Sequence, residues 1–214
     1  MTDRFPPQRL RGLYAITPDE ADTARLLALA ERVLQGRPAL LQYRNKFASP
    51  TQRREQAQGL LALCRAAEVP LLINDDLALA LEIGADGAHL GRDDGDPAAA
   101  RETLGPGRIL GVTCYSAFER AQHGARAGAD YVAFGAMYAS PSKPQAPRAP
   151  FELLARARRE LRLPVAAIGG ITLDNAAPLI AAGADLLAVI SDVFAAADPA
   201  ARATAYRPLF GLPA

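Results

Sequence analysis

Two carboxylates, three cationic side chains and two small-residue turns in this chain each follow a short apolar run. Asp75 closes Ile73-Asn74-Asp75, and Asp94 closes His89-Leu90-Gly91-Arg92-Asp93-Asp94. Arg44 and Lys46 follow Leu41-Gln42-Tyr43, and Lys143 lies in Ser140-Pro141-Ser142-Lys143. Brought to one place, the two acids repel unless a cation lies between them. Mg²⁺ suits that position, because it takes one or two carboxylates and completes its octahedron with phosphate oxygens and water. The cations suit phosphate, as do Gly169-Gly170 and Ile190-Ser191, since glycine lets backbone N–H groups approach an oxyanion. The chemistry indicated is the holding of a phosphorylated ligand with a divalent ion. A plainer reading stands beside each: Asp75 or Asp76 as a helix N-cap, Asp93 and Asp94 as turn residues, Arg44 and Lys46 on a solvated loop, Gly169-Gly170 as a simple turn.

The other reactive side chains carry less. His89 sits where it would point into a barrel near the mouth, and a hydrogen-bonded core role outweighs a catalytic one. His123 lies in a helical pattern and is expected to face solvent. Cys114 follows Thr113 with no histidine beside it, so packing is favoured over nucleophilic attack. Neither a dinucleotide glycine fingerprint nor a P-loop occurs.

Residues this far apart in sequence act together only if the fold gathers them, and the elements point to one that does. Short, nearly continuous apolar runs at 13–17, 40–44, 71–74, 88–90, 109–113, 131–135, 165–169 and 187–191 read as strands covered on both faces. Helical patterns lie between them, among others at 24–34, 53–67, 117–127, 151–161, 173–182 and from Pro199 onward. Three joints repeat: Gly84-Ala85-Asp86, Gly128-Ala129-Asp130 and Gly183-Ala184-Asp185, each leading from a helical stretch into an apolar run. The alternation predicts an α/β protein, a single-domain (β/α)8 TIM barrel spanning 1–214 with 1–11 as a flexible N-terminal extension. An open doubly wound sheet is the alternative. In a barrel the C-terminal strand ends converge on one mouth, which is where the acids, the cations and the glycine pair fall. The proline-rich stretch 137–150 follows the sixth strand and is a candidate lid.

Composition narrows the function classes. The chain has 214 residues, half of them hydrophobic, enough for a core that needs neither disulfides nor a structural metal. With 24 basic against 23 acidic side chains the net charge is +1, which argues against a nucleic-acid surface. No run of about 18 apolar residues suggests a membrane span, and no signal-peptide pattern precedes Arg11. The two cysteines, Cys64 and Cys114, make no metal or redox motif. A cytoplasmic enzyme acting on small molecules is expected, with its oligomeric state left open.

Together these strand-end motifs resemble the thiamine-phosphate synthase family. The resemblance runs from Gly12-Leu13-Tyr14-Ala15-Ile16-Thr17 to Val189-Ile190-Ser191. It includes Leu41-Gln42-Tyr43-Arg44-Asn45-Lys46, Ile73-Asn74-Asp75, the His89 to Asp94 run, Gly111-Val112-Thr113, Ser140-Pro141-Ser142-Lys143 and Ala167-Ile168-Gly169-Gly170-Ile171. One such motif is weak; six in order are specific.

The resemblance implies a transferase that joins hydroxymethylpyrimidine diphosphate to thiazole phosphate, yielding thiamine phosphate and pyrophosphate by dissociative ionisation. It implies Asp75 and Asp94 as Mg²⁺ ligands, and Arg44, Lys46, Asn74 and Lys143 as the diphosphate clamp, with Arg44, Lys46 and Lys143 catalytic. Gln42 and Thr113 correspond to residues near the pyrimidine. Ser140 and Ser142 correspond to hydroxyls of the mobile loop, and Gly170, Ile190 and Ser191 to the thiazole phosphate pocket. The chain departs from the family pattern at Arg92 (often Gln), Ser140 and Ser142 (commonly Thr), Thr113 (usually Ser) and Tyr115 (frequently His). Arg92 places a positive charge beside Asp94, which puts metal affinity in question. A thiazole tautomerase of the same fold is the nearest rival, but an isomerase has no use for a metal and diphosphate clamp. A non-catalytic phosphate-ligand-binding barrel is a third reading.

Overall fold

A computed structural model describes residues 10–139 and 148–213 of the chain. Among these, eight parallel strands close into a barrel in sequence order: β1 Gly12–Ile16, β2 Leu40–Tyr43, β3 Leu71–Asn74, β4 Gly87–Leu90, β5 Ile109–Tyr115, β6 Tyr131–Gly135, β7 Val165–Ile168 and β8 Leu186–Val189. Pairing of Gly12 through Ala15 with Leu186 through Val189 joins the first strand to the last. The closed ring rules out the open-sheet alternative.

Helices α1 Thr23–Gln35, α2 Pro50–Ala67, α3 Leu77–Ile83, α4 Pro97–Leu104, α5 Phe118–Arg126, α6 Glu152–Leu161, α7 Ala177–Ala181, α8 Ser191–Phe194 and α9 Pro199–Ala205 surround the strands. Their starts are legible in the chemistry of single residues. Asp22, Ser49, Asp76, Asp96 and Asp198 each accept a backbone N–H with the side chain, satisfying donors that the first turn leaves open. On α1 the buried residues Leu26, Ala30, Val33 and Leu34 fall at helical spacing and face the strands. No described helix is long and apolar enough to cross a membrane.

The apolar interior is divided by the sheet. One cluster fills the space between strands and helices, and a smaller one, including Tyr14, Leu40, Leu72, Ile109, Tyr131 and Leu186, fills the barrel itself. Leu10 packs into this second cluster.

The three repeated joints do the same work. Gly84, Gly128 and Gly183 all have positive φ (+70°, +84° and +110°), the conformation that closes a last helical turn without a Cβ penalty. Two residues later the aspartate turns back to the preceding strand: Asp86 Oδ2 accepts from Leu71 N (2.9 Å), Asp130 Oδ2 from Leu110 N (2.7 Å) and Asp185 Oδ2 from Val165 N (3.1 Å). These side chains pair N–H groups at the bottom of β3, β5 and β7. Asp130 also takes a 2.5 Å bond from Arg101 Nη2. Asp130→Ala leaves both donors without their acceptor and is expected to lower the unfolding free energy by about 2 kcal/mol. Urea titration checks this, and a change below about 0.5 kcal/mol would remove the joint from the stability argument.

Several bounds move by one to three residues from the sequence reading, and two segments differ in kind. The helix expected over 173–182 is split into a 3₁₀ turn, Leu173–Asn175, and α7, because Thr172 and Asn175 form a reciprocal cap and Pro178 has no N–H to continue a ladder. The strand expected over 187–191 ends at Val189, and Ser191 opens α8 instead.

Candidate active site

The strand ends after β2 and β3 enclose a cavity of about 690 Å³, lined by Arg44, Lys46, Arg53, Asn74 and Asp75 among others. Asp76 caps α3 through a bond from Leu79 N (2.9 Å), so the plain reading holds for that residue. Asp75 does not cap. Its own N–H donates to His89 O across the β3–β4 pair (2.8 Å), and its φ of +64° turns the side chain out of strand register. Aspartate and asparagine tolerate that left-handed conformation better than most residues.

Asp94 arrives from the loop after β4. Gly91 N–H donates to Asp94 Oδ2 at 2.8 Å, and the carboxylates of Asp75 and Asp94 lie within hydrogen-bonding reach of each other. Partial burial first, then the facing Asp94 carboxyl, push the Asp75 pKa up to about 6, against the pull of Gly91 N–H and the Lys46 ammonium. Two acids so placed share a proton or hold a cation. Among the described residues no group of three or more His, Cys, Asp or Glu side chains gathers as a metal cage. The pair fits an ion that takes two carboxylates and draws its other ligands from a phosphorylated substrate and water, which is how Mg²⁺ binds.

A line of amides leads to the acids. Gln42 Nε2 donates to Asn74 Oδ1 (3.0 Å), and Asn74 Nδ2 donates to Asp75 Oδ2 (2.5 Å). Arg44 is held by Asp19, its Nη1 3.0 Å from Asp19 Oδ2, while Lys46 N–H donates to Asp19 Oδ1 (2.7 Å). The Lys46 side chain is exposed at the rim. Asn45 is buried and ties the loop down, donating to Glu20 O and Gln56 Oε1 and accepting from Phe47 and Ala48 N–H.

Gly169 and Gly170 have φ of +105° and +64°. A Cβ on Gly169 would lie 2.7 Å from Ala136 Cβ, and one on Gly170 would lie 2.9 Å from Tyr138 Cβ. The glycines are therefore needed by the close approach of the loop after β6, whatever ligand the turn meets. Leu173 N–H donates to Asp192 Oδ2 (3.2 Å), which ties the segment after this turn to α8.

Thr113 stands at the end of β5, its hydroxyl 2.6 Å from His89 Nε2. The other ring nitrogen of His89 is 2.8 Å from Tyr131 Oη, so this histidine is a buried, hydrogen-bonded core residue, held neutral by burial with its pKa lowered to about 4. His123 is exposed and pairs with Asp96 (3.0 Å). Cys114 is buried, and burial pushes its thiol up to about 12, out of nucleophilic range. Arg92 lies over the Tyr115 ring at 4.3 Å, and no ion pair between it and Asp94 occurs among the described residues.

Ser140, Ser142 and Lys143 lie outside the described residues. Of the remaining expected site residues, Gln42, Arg44, Lys46, Asn74 and Asp75 share the β2–β3 side, Asp94 and Thr113 border it, and Gly170, Ile190 and Ser191 stand across the barrel. Asp19 and Arg53 went unread in the sequence. Asp19 follows β1, so the strand-end rule applied one strand earlier finds it. Arg53 lies in the first turn of α2 and gives no strand-end signal. It reaches the cavity from a helix, 3.7 Å from Asp76.

Comparison with known proteins bears on this geometry. The family described as Thiamine monophosphate synthase matches residues 13–193. A thiamine-phosphate synthase from Azoarcus sp. (strain BH72) is 65% identical over 203 residues, 95% of this chain and 98% of that one. One from Aromatoleum aromaticum is 64% identical, covering 96% of this chain and 99% of its own. Among solved structures, a thiamine phosphate pyrophosphorylase from Pyrococcus furiosus superposes with a TM-score of 0.84 at 29% identity, over 96% of this chain and 97% of that chain.

Proposed function

The chain belongs to the thiamine monophosphate synthase family, and from that membership we propose that its barrel mouth joins hydroxymethylpyrimidine diphosphate to thiazole phosphate. It is a transferase that makes thiamine phosphate. The observation that carries the finer reading is the meeting of Asp75 and Asp94 beside Lys46 and Arg44 at one rim.

The reaction breaks the bond between the pyrimidine methylene carbon and the diphosphate oxygen, whose electron pair leaves with pyrophosphate. The thiazole nitrogen then donates its lone pair to the carbon. No proton leaves the attacking nitrogen, so no general base is required, and the site's histidine is neutral and fully engaged. The demand falls on the leaving group, where charge develops. Asp75 and Asp94 would hold Mg²⁺, which would supply positive charge toward the diphosphate. Arg44, Lys46, Asn74 and Lys143 grip its oxygens. Arg44 exchanges its bond to Asp19 for one to phosphate, so Asp19 keeps the guanidinium placed while the site is empty. Gln42 and Thr113 bind the pyrimidine edge, and Ser140 and Ser142 offer hydroxyls to the substrate. Gly170, Ile190 and Ser191 hold the thiazole phosphate opposite. The buried free thiols of Cys64 and Cys114 suit a reducing, cytoplasmic setting.

The test is product formation from the two substrates, with and without EDTA. Thiamine phosphate and pyrophosphate in equal amounts, lost on chelation and restored by Mg²⁺, is the expected result. Rearrangement of the thiazole without pyrophosphate release would favour the tautomerase, and binding without turnover would favour a ligand-binding barrel. Arg92→Gln is expected to leave the Mg²⁺ half-saturation within about twofold, because the guanidinium rests on Tyr115 and exposed charges interact weakly. A tenfold or so tightening on Mg²⁺ titration would instead show it competing for Asp94.

A further inference from the structure

Four polar side chains cross the barrel interior in one hydrogen-bonded line. Tyr14 Oη is 2.7 Å from Tyr131 Oη, Tyr131 Oη is 2.8 Å from His89 Nδ1, and His89 Nε2 is 2.6 Å from Thr113 Oγ1. Tyr14 and Tyr131 are sealed from solvent, while Thr113 at the far end is part-exposed at the mouth. Burial keeps both phenols protonated and His89 neutral. The line therefore contains four neutral groups, each with one proton to give, and three bonds to fill.

Three orders fill all three bonds. In one, Tyr14 donates to Tyr131, Tyr131 donates to Nδ1 of His89, and Nε2–H donates to Thr113 Oγ1. The proton left over is that of Thr113, which faces the mouth. In the other two, Thr113 donates to Nε2 and Nδ1–H donates to Tyr131, while Tyr131 donates to Tyr14 or Tyr14 donates to Tyr131. The proton left over is then that of Tyr14 or of Tyr131, deep in an interior where no second acceptor among the described residues reaches it. A buried hydroxyl donor without an acceptor is strongly disfavoured. The interior itself selects the first order.

We propose that Tyr14, Tyr131 and His89 are positioning residues that make Thr113 accept from His89 and present its hydroxyl hydrogen to the substrate, so that this corner of the site recognises a lone pair, the ring nitrogen of the aminopyrimidine. The inference deepens the functional reading above and rests on Thr113 meeting the pyrimidine. It assigns a task to two tyrosines that touch no ligand, and it explains why a polar chain is retained in a barrel core. A hydroxyl at 113 fixed as donor rejects a ring that offers C–H in place of the nitrogen.

The first test needs no substrate. In protein labelled with ¹⁵N-histidine, with His123→Gln used to assign the two rings, His89 is expected to carry its proton on Nε2 and a bare lone pair on Nδ1. The Nδ1–H tautomer overturns the proton order. The second test reads binding. Tyr131→Phe, which keeps the ring and cuts the line, and Thr113→Val are each expected to raise KM for the pyrimidine diphosphate roughly five- to tenfold with a much smaller change in kcat, as the loss of one net hydrogen bond does. Thr113→Ser is expected to restore the wild-type value. The double variant Thr113→Val with Tyr131→Phe is expected to be no worse than Thr113→Val alone, because the tyrosine acts through the threonine. Full additivity of the two losses overturns the positioning role. An unchanged KM in Thr113→Val beside an Nε2–H tautomer overturns recognition by Thr113, and absence of product in the wild-type assay overturns the functional reading beneath it.

Discussion

Asp75→Asn is expected to lower kcat/KM by a factor on the order of 10²–10³, the scale seen when one well-placed charge-stabilising group is removed from a transition state. Backbone strain contributes little to that loss, because asparagine accepts the +64° φ of this position as readily as aspartate. Thiazole phosphate binding, proposed for Gly170, Ile190 and Ser191, should be nearly unaffected. The two effects are separated by steady-state kinetics and by calorimetric titration with thiazole phosphate. An Asp75→Asn enzyme with near-normal turnover at low Mg²⁺ would refute the metal assignment.

The same substitution changes stability in the opposite direction. The Asp75 pKa is raised in the folded protein, so its contribution is fully favourable below the ordinary carboxylate range and is lost as pH rises through about 6. In the presence of EDTA, wild-type protein should become less resistant to urea between about pH 4 and about pH 7 by an amount that Asp75→Asn does not show. The variant therefore gains in stability relative to wild type across that window, although it is the less active. Such a trade is expected where two acids are held together for a cation.

Gly111→Ala is expected to cost more than about 3 kcal/mol or to prevent folding, although it adds one methyl group. A Cβ at this position collides with the hydroxyl edge of the Tyr131 ring, 2.5 Å from Cε1 and closer still to Cζ and Oη. Tyr131 has nowhere to go, since it is fully buried and its hydroxyl is bonded on both sides, to Tyr14 and His89. The double variant Gly111→Ala with Tyr131→Leu should recover part of the stability by removing the clash, but not the affinity for the pyrimidine substrate. Thermal unfolding and KM measured on the same samples distinguish this from simple loss of a core aromatic. A Gly111→Ala protein as stable as wild type would mean that the ring and β5 separate more easily than the packing indicates.

Much of the barrel is legible along the chain because the relevant forces act over a few residues. A strand covered on both faces must be apolar at consecutive positions, and Leu71-Leu72-Ile73 or Tyr131-Val132-Ala133-Phe134 satisfies that without reference to the rest of the protein. A helix needs a cap at its start, and Ser49, Asp76 and Asp96 supply it within three residues of the N–H they accept. The repeated Gly-Ala-Asp joints are visible as a pattern. Their second task, in which Asp86, Asp130 and Asp185 bond to the preceding strand, is not, because the acceptor and donor lie 15 to 20 residues apart. Boundaries were missed where local chemistry changes within a turn, as at Pro178 and at Ser191.

The inventory of the site was also present in the chain: which residues end strands, which of them are charged, and that acids, amides and cations recur at those ends. Whether they meet was decided by closure of the ring. Asp75 and Asp94 face each other because β3 and β4 pair in register with Asn74 opposite His89, and because Gly91 N–H draws Asp94 back over the strand end. Arg44 is held by Asp19 and Arg92 is turned onto Tyr115, choices among partners that sequence spacing leaves equal. The line from Tyr14 through Tyr131 and His89 to Thr113 joins residues up to 117 positions apart and exists only inside the closed barrel. Sequence by itself determined the elements and the chemical types at their ends, because propensity, capping and patterning are short-range. Tertiary structure alone decided which charges are neighbours and which protons point where, because those depend on distances across a core that no local segment contains.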